Sequence, residues 1–162
     1  MTESLALLDV RDSEVAAAVI ALQRRSYRVE AELIGFDGIP LLNESLGDLM
    51  VCGETFVGAT VDENLTGAIS YRVIGDELDI HRLMVDPPYF RRGVARVLLR
   101  YVLNSEPGVK HAVVRTGAAN TPALALYRGE GFAHVREDLV GPGVRVAVLR
   151  WNRVAAQIAP SN

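Results

Sequence analysis

The sequence predicts one α/β (α+β) domain: a mixed, mostly antiparallel central sheet of six to seven strands with flanking helices. Three observations lead there. Glu54–Val61, Gly67–Ile74 and Leu78–Val85 are apolar or β-branched runs separated by the turn formers Asp62-Glu63-Asn64 and Gly75-Asp76-Glu77, so three antiparallel strands lie side by side. A helical repeat, Val94, Val97, Leu98, Tyr101 and Val102, then leads to a strand Lys110–Thr116; a strand, helix and strand in that order implies a right-handed crossover and parallel pairing. Two more apolar strands, Ala133–Leu139 and Val144–Trp151, are joined across Gly141-Pro142-Gly143.

The elements follow in order. Leu5–Val10 reads as an opening strand, and Asp12 as the N-cap of a helix running to about Arg25 with Val15, Val19 and Leu22 on one face. Ser26–Asp37 mixes aromatic and acidic residues and breaks at Gly38-Ile39-Pro40, after which Leu41–Leu49 forms a short helix. The strand at Leu78–Val85 ends at Asp86-Pro87-Pro88, because proline offers no N–H to a ladder. The next helix, 92–103, stops at Pro107-Gly108. Thr121 as N-cap and Pro122 at the first helical position start the last helix, and Gly131 stops it. The domain spans 1–152, and 153–162 is a tail.

Composition narrows the function classes. The chain has 162 residues, 49% hydrophobic and 23% charged, which suits one folded domain rather than a disordered chain. A formal net charge of -3 argues against a general nucleic-acid binder, so no nucleic-acid partner is expected. Cys52 is the sole cysteine, which excludes an intrachain disulfide and a thiolate cluster. Leu5-Ala6-Leu7-Leu8 is too short for a signal sequence or a span, so no membrane partner and a cytoplasmic setting are expected. No paired His or Cys stands at metal spacing, His111 and His134 read as structural or surface residues, and no metal is expected. Neither a Gly-x-Ser-x-Gly elbow nor a Gly-Lys-Ser/Thr phosphate loop occurs.

The chain is organised around residues 78–104. Arg92, Arg96 and Arg100 fall four apart on a helix whose first turn has unpartnered N–H groups and the positive end of a dipole, and Gly93 lets a ligand approach the main chain there. This reads as an anion site; a solvated arginine stripe is the alternative on these residues alone. The run Phe90-Arg91-Arg92-Gly93-Val94-Ala95 resembles the Gln/Arg-x-x-Gly-x-Gly/Ala loop of the GNAT superfamily of acyl-CoA N-acyltransferases, with Phe90 in place of the usual Gln or Arg. Asn120, Ala123, Leu124, Tyr127 and the closing Gly131-Phe132 match that family's second motif. The resemblance covers about residues 54–151. It implies the GNAT fold, with two parallel strands that splay apart, and acetyl-CoA as acyl-donor co-substrate held by Arg91, Arg92, Gly93, Val94, Ala95 and Arg96. It further implies that main-chain groups of Leu83, Met84 and Val85 pair with the pantetheine arm, and that Asn120 and Ala123 flank it.

Acetyl transfer to an amine needs a neutral nucleophile, a stabilised oxyanion and a proton for the departing thiolate. The resemblance makes Tyr127 the acid beside the sulfur; a core aromatic on an apolar helix face is the alternative. Asp79 and His81 are alternate residues of one strand and project to one face; either is a candidate base, and both also suit structural hydrogen bonds. Glu30, Glu32 and Asp37 lie where the family's acceptor site is overhung and could attract a cationic amine, or could form a solvated face. The expected activity is N-acetylation of a small-molecule amine or protein amino group. A non-catalytic acyl-CoA sensor or adaptor of the same fold is the competing reading, and a homodimer is what the family suggests.

Overall fold

The computed structural model describes residues 3–154. In chain order they form β1 (Glu3–Leu8), α1 (Ser13–Ile34), a 3-10 turn (Pro40–Asn43), α2 (Leu46–Met50), β2 (Thr55–Val61), β3 (Asn64–Ile74) and β4 (Glu77–Val85). A second 3-10 turn (Pro87–Tyr89), α3 (Val94–Ser105), β5 (His111–Gly117), α4 (Thr121–Gly129), β6 (Ala133–Gly141) and β7 (Val144–Asn152) complete them. The expected tail lies outside the described residues from 155 onward.

One seven-stranded sheet runs β1-β2-β3-β4-β5-β7-β6, antiparallel throughout except between β4 and β5. This is the sheet expected from the sequence. Its two faces carry separate cores. On one, α3 presents Leu98, Leu99 and Val102 to Ile69, Leu78, Ile80 and Leu149. On the other, α1 presents Val19 and Leu22 to Phe56, Ala68 and Met84. Each such fully buried aliphatic contributes about 1.5–3 kcal/mol relative to exposure.

Three local expectations are corrected. Asp12 does cap α1, accepting from the amides of Glu14 and Val15 at 2.8 and 3.3 Å, but the helix runs past Arg25 to Ile34. The buried face continues as Gln23, Tyr27 and Ala31, four residues apart, and the stop comes only where Gly35 adopts the left-handed conformation at φ 66°. Leu41–Leu49 divides into the 3-10 turn and α2 rather than forming one helix. The cap of α4 is Asn120, not Thr121: its side chain accepts from the Ala123 amide at 3.2 Å, so Pro122 still falls in the first turn.

Candidate active site

The sheet is forked. β4 and β5 pair over only Glu77–His111, Leu78–Ala112 and Asp79–Val113, then separate. Just beyond, β4 carries a bulge: Ile80 faces Tyr71 and Arg82 faces Ser70, leaving His81 as the extra residue. A bulge bends its strand and increases the local twist, which accounts for β4 leaving β5 at this point. The cleft that results has a volume of about 380 Å³. Its floor is Ile80–Leu83 of β4 and Val114–Gly117 of β5; α1 and the loop after it form one wall, and α4 with β6–β7 the other.

Where β4 ends, Pro87–Tyr89 turns the chain into a loop of alternating hand. Arg91 and Gly93 both have positive φ, 62° and 82°. Among the described residues, none of the amides from Arg91 to Arg96 has an internal acceptor, and α3 has no side-chain cap. Successive unpartnered amides in this geometry form an anion-binding nest at a helix N-terminus. Gly67 allows the helix to sit low on the sheet, since a Cβ there would meet Val94 at 2.6 Å. The arginine stripe is only partly available. Arg96 and Arg100 pair with Glu130 at 3.1 and 2.8 Å, whereas Arg92 stacks on the Tyr89 ring and, among the described residues, neither Arg91 nor Arg92 meets a carboxylate. The residues of this loop do not themselves line the cleft.

Inside the cleft, Tyr127 is 5% exposed and packs on Phe132 with ring centroids 5.5 Å apart. Burial, reinforced by the nearby Tyr27 and Glu30, raises its pKa well above the ordinary phenol value, so the group stays protonated. No fully buried side-chain polar atom among the described residues lacks a partner, and the Tyr127 hydroxyl has none, so it opens onto the cleft. Tyr27 is raised too, chiefly by burial and the charge of Glu30, with the Leu83 amide opposing. Glu30 accepts from the Thr116 hydroxyl at 3.3 Å, joining α1 to β5 across the fork. Val85 donates its N–H to the Ser26 hydroxyl at 3.3 Å. Met84 points away, into the core beneath α1. Asn120 and Ala123 line the cleft; Glu32 and Asp37 are exposed and do not.

The bulge also assembles a charged cluster that strand alternation would have split. His81 and Arg82, though adjacent, both meet Glu54: His81 Nδ1 lies 3.4 Å and Arg82 Nε 3.0 Å from its carboxylate. On the other ring edge, His81 Nε2 is 3.3 Å from Asp79, which also binds Arg115 at 3.1 Å. Asp79 itself does not line the cleft and reaches it through His81. Arg82, 2% exposed, also binds Glu44, donates to the Gln23 side-chain oxygen at 2.8 Å and stacks on Phe56. Burial opposes its charge, but the two carboxylates outweigh that and hold its pKa above the usual arginine value. Burial likewise pushes Glu54 up, and Arg82 and Ser70 overcome this to leave it below the ordinary carboxylate value. Gln23 binds the Leu41 carbonyl at 2.6 Å, so the cluster fixes the loop that walls the cleft. Glu44, Glu54 and Arg82 are not legible as site residues in the sequence because their partners lie on segments far apart in the chain.

Comparison with known proteins places this architecture in a family. The acetyltransferase (GNAT) family model matches residues 10–132. The chain belongs to that family. Among curated relatives, the UPF0157 protein YqkA of Bacillus subtilis is 36% identical over 141 residues, covering 87% of this chain and 41% of its own length. The N-alpha-acetyltransferase RimI of Mycobacterium tuberculosis is 40% identical over 85 residues, covering 49% of this chain and 52% of its own. The chain thus spans about half the length of these relatives. The PaiA N-acetyltransferase of Thermoplasma acidophilum, solved in complex with coenzyme A, superposes with a TM-score of 0.74 at 18% identity, covering 94% of this chain and 100% of that one. At that identity the likeness is one of fold, and the GNAT fold is what this chain has. No helix among the described residues is long and apolar enough to cross a membrane, and no group of three or more His, Cys, Asp or Glu is placed to hold a metal ion.

Proposed function

We propose that this GNAT domain transfers an acetyl group from acetyl-CoA to the nitrogen of a primary amine by direct attack. The observation that carries the reading is Tyr127: a phenol kept neutral by burial, with an unused hydroxyl opening onto the fork. Acetyl-CoA supplies the activated acyl group and a thiolate that leaves.

The chain's own residues divide the remaining work. The unpartnered amides of Arg91 to Ala95, with Arg91 and Arg92, fit a diphosphate. Beyond Asp79 the edge of β4 facing β5 is unpaired, so Leu83 and Val85 can meet an extended amide-bearing arm by strand addition, with the Tyr27 and Ser26 hydroxyls giving way. The Leu83 amide, already turned toward an oxygen, suits the carbonyl oxygen as its charge develops. His81, held between Asp79 and Glu54, takes the proton that the amine loses, directly or through water, and Tyr127 donates one to the sulfur. The new bond is C–N and the broken one C–S.

The test is release of free CoA thiol across a panel of amines, run beside calorimetric binding of acetyl-CoA. Binding with thiol release dependent on an amine supports the transferase. Binding without release from any amine makes the domain an acyl-CoA sensor, and no binding removes both readings. Comparing pH–rate profiles of His81→Ala and Asp79→Ala then identifies the base: the variant that loses the acidic limb has lost it.

A further inference from the structure

We infer that the acceptor is a primary amine with a single positive charge on a compact apolar body, a conclusion that rests on the acetyltransferase reading above. The charge balance of the cleft points to it. Of the charged side chains that line it, Arg82 is matched by Glu44 and Glu54, Arg115 by Asp79, and His81 lies between Asp79 and Glu54. Glu30 is the exception. It is half-buried, its hydrogen-bond partner is the neutral Thr116 hydroxyl, and no cation among the described residues pairs with it. A carboxylate taken from water without a counter-charge is costly, and an ammonium seated on Glu30 removes that cost. Glu30 and Tyr127 line the same cleft, so an amine bound to Glu30 shares that space with the group proposed to protonate the leaving sulfur.

The rest of the cleft selects the body. Ile34, Phe36, Ile39 and Leu41 face it from α1 and the following loop, and Val140, Val144 and Val146 from the β6–β7 hairpin. A second ammonium would meet these walls, or Arg82 and Arg115, without an anion to receive it. Length is limited as well. Ile34 lies on Gly117 so closely that a Cβ there would stand 2.6 Å from its side chain, and Phe36 folds onto Gly38, so α1 and its loop close that end of the fork. The volume of about 380 Å³ has to hold the acyl end of the donor and the acceptor together. A polyamine or an aminoglycoside carries more charge than the cleft can match, and a protein N-terminus brings a peptide chain with polar groups that the apolar walls do not receive.

The experiment is thiol release with 2-phenylethylamine, isopentylamine, spermidine, kanamycin and an alanine-initiated hexapeptide, with acetyl-CoA affinity measured separately by calorimetry. The two monoamines are expected to exceed the other three in kcat/KM by at least about tenfold. In Glu30→Gln, KM for 2-phenylethylamine is expected to rise roughly tenfold to a hundredfold, the value of a hydrogen bond to a charged group, with acetyl-CoA affinity changed less than about twofold. Spermidine, kanamycin or the hexapeptide as the best substrate overturns this inference and leaves the transferase reading standing. So does a Glu30→Gln enzyme with unaltered KM. Absence of thiol release from every amine overturns the transferase reading itself, and this inference with it.

Discussion

Replacing Arg82 with methionine removes a cation while keeping a side chain of similar reach, and leaves Glu44 and Glu54 facing each other beside Gln23. The arginine side chain is 2% exposed and the carboxylates 14% and 7%, so water cannot take over the lost partner. Removing one member of such a buried set costs about 3–5 kcal/mol. For a chain of this size that is a fall of about 6–20 °C in Tm, at about 2–4 °C per kcal/mol. The pH dependence has a definite sign. With Arg82 present the Glu54 carboxyl is held low, so the wild type has this stabilisation above the ordinary carboxylate value and loses it as pH falls through the lowered one. Without Arg82, burial dominates and pushes the same carboxyl up, so the variant gains ground on acidification. The stability gap measured by urea unfolding should therefore narrow as the pH is lowered from neutrality toward and below the ordinary carboxylate value. A loss under about 1 kcal/mol, or a gap that widens toward low pH, would refute the account of Arg82 as the cation that two buried carboxylates require.

Three further predictions test the site and the fold. Tyr127→Phe should lower kcat about a hundredfold while acetyl-CoA affinity, measured by calorimetry, changes little; unchanged turnover would remove the hydroxyl from the chemistry. Arg92→Ala should weaken acetyl-CoA binding about tenfold, most at low ionic strength, whereas Arg100→Ala should do much less because Glu130 already engages that guanidinium; equal losses would contradict the division of the stripe. Asp12→Ala should cost about 1 kcal/mol in urea unfolding through the lost cap of α1, with kinetics unaffected.

What could be read from the sequence was whatever depends on short-range order. The strands announced themselves by β-branched runs between turn formers, and the β4–α3 junction by proline followed by a glycine and a helical repeat. The end of α1 was hidden because Tyr27 and Glu30 look like loop residues until Gln23 and Ala31 are seen to continue one buried face. The arginine stripe reads in the sequence as uniformly free for a related reason: Glu130, which pairs with Arg96 and Arg100, is 30 residues from the latter in the chain and is brought to α3 only by the tertiary fold. The apolar run 78–85 puts His81 on β4, but a bulge is a mismatch between two strands and leaves no mark on either alone. Nothing in the sequence sets Arg82 apart, and only that mismatch puts it with its neighbour against Glu54.

The extra residue in β4 makes the sheet less regular than its own sequence would permit. Were His81 deleted, Ile80 and Arg82 would become neighbours opposite Tyr71 and Ser70, and every later side chain would keep its face. The ladder would be continuous, the strand straighter, and the prongs free to zip further along β5. Such a shortened chain is expected to melt higher and to have no room at its centre. Stability here has been surrendered at one chosen rung, and the space so gained is where a reaction fits.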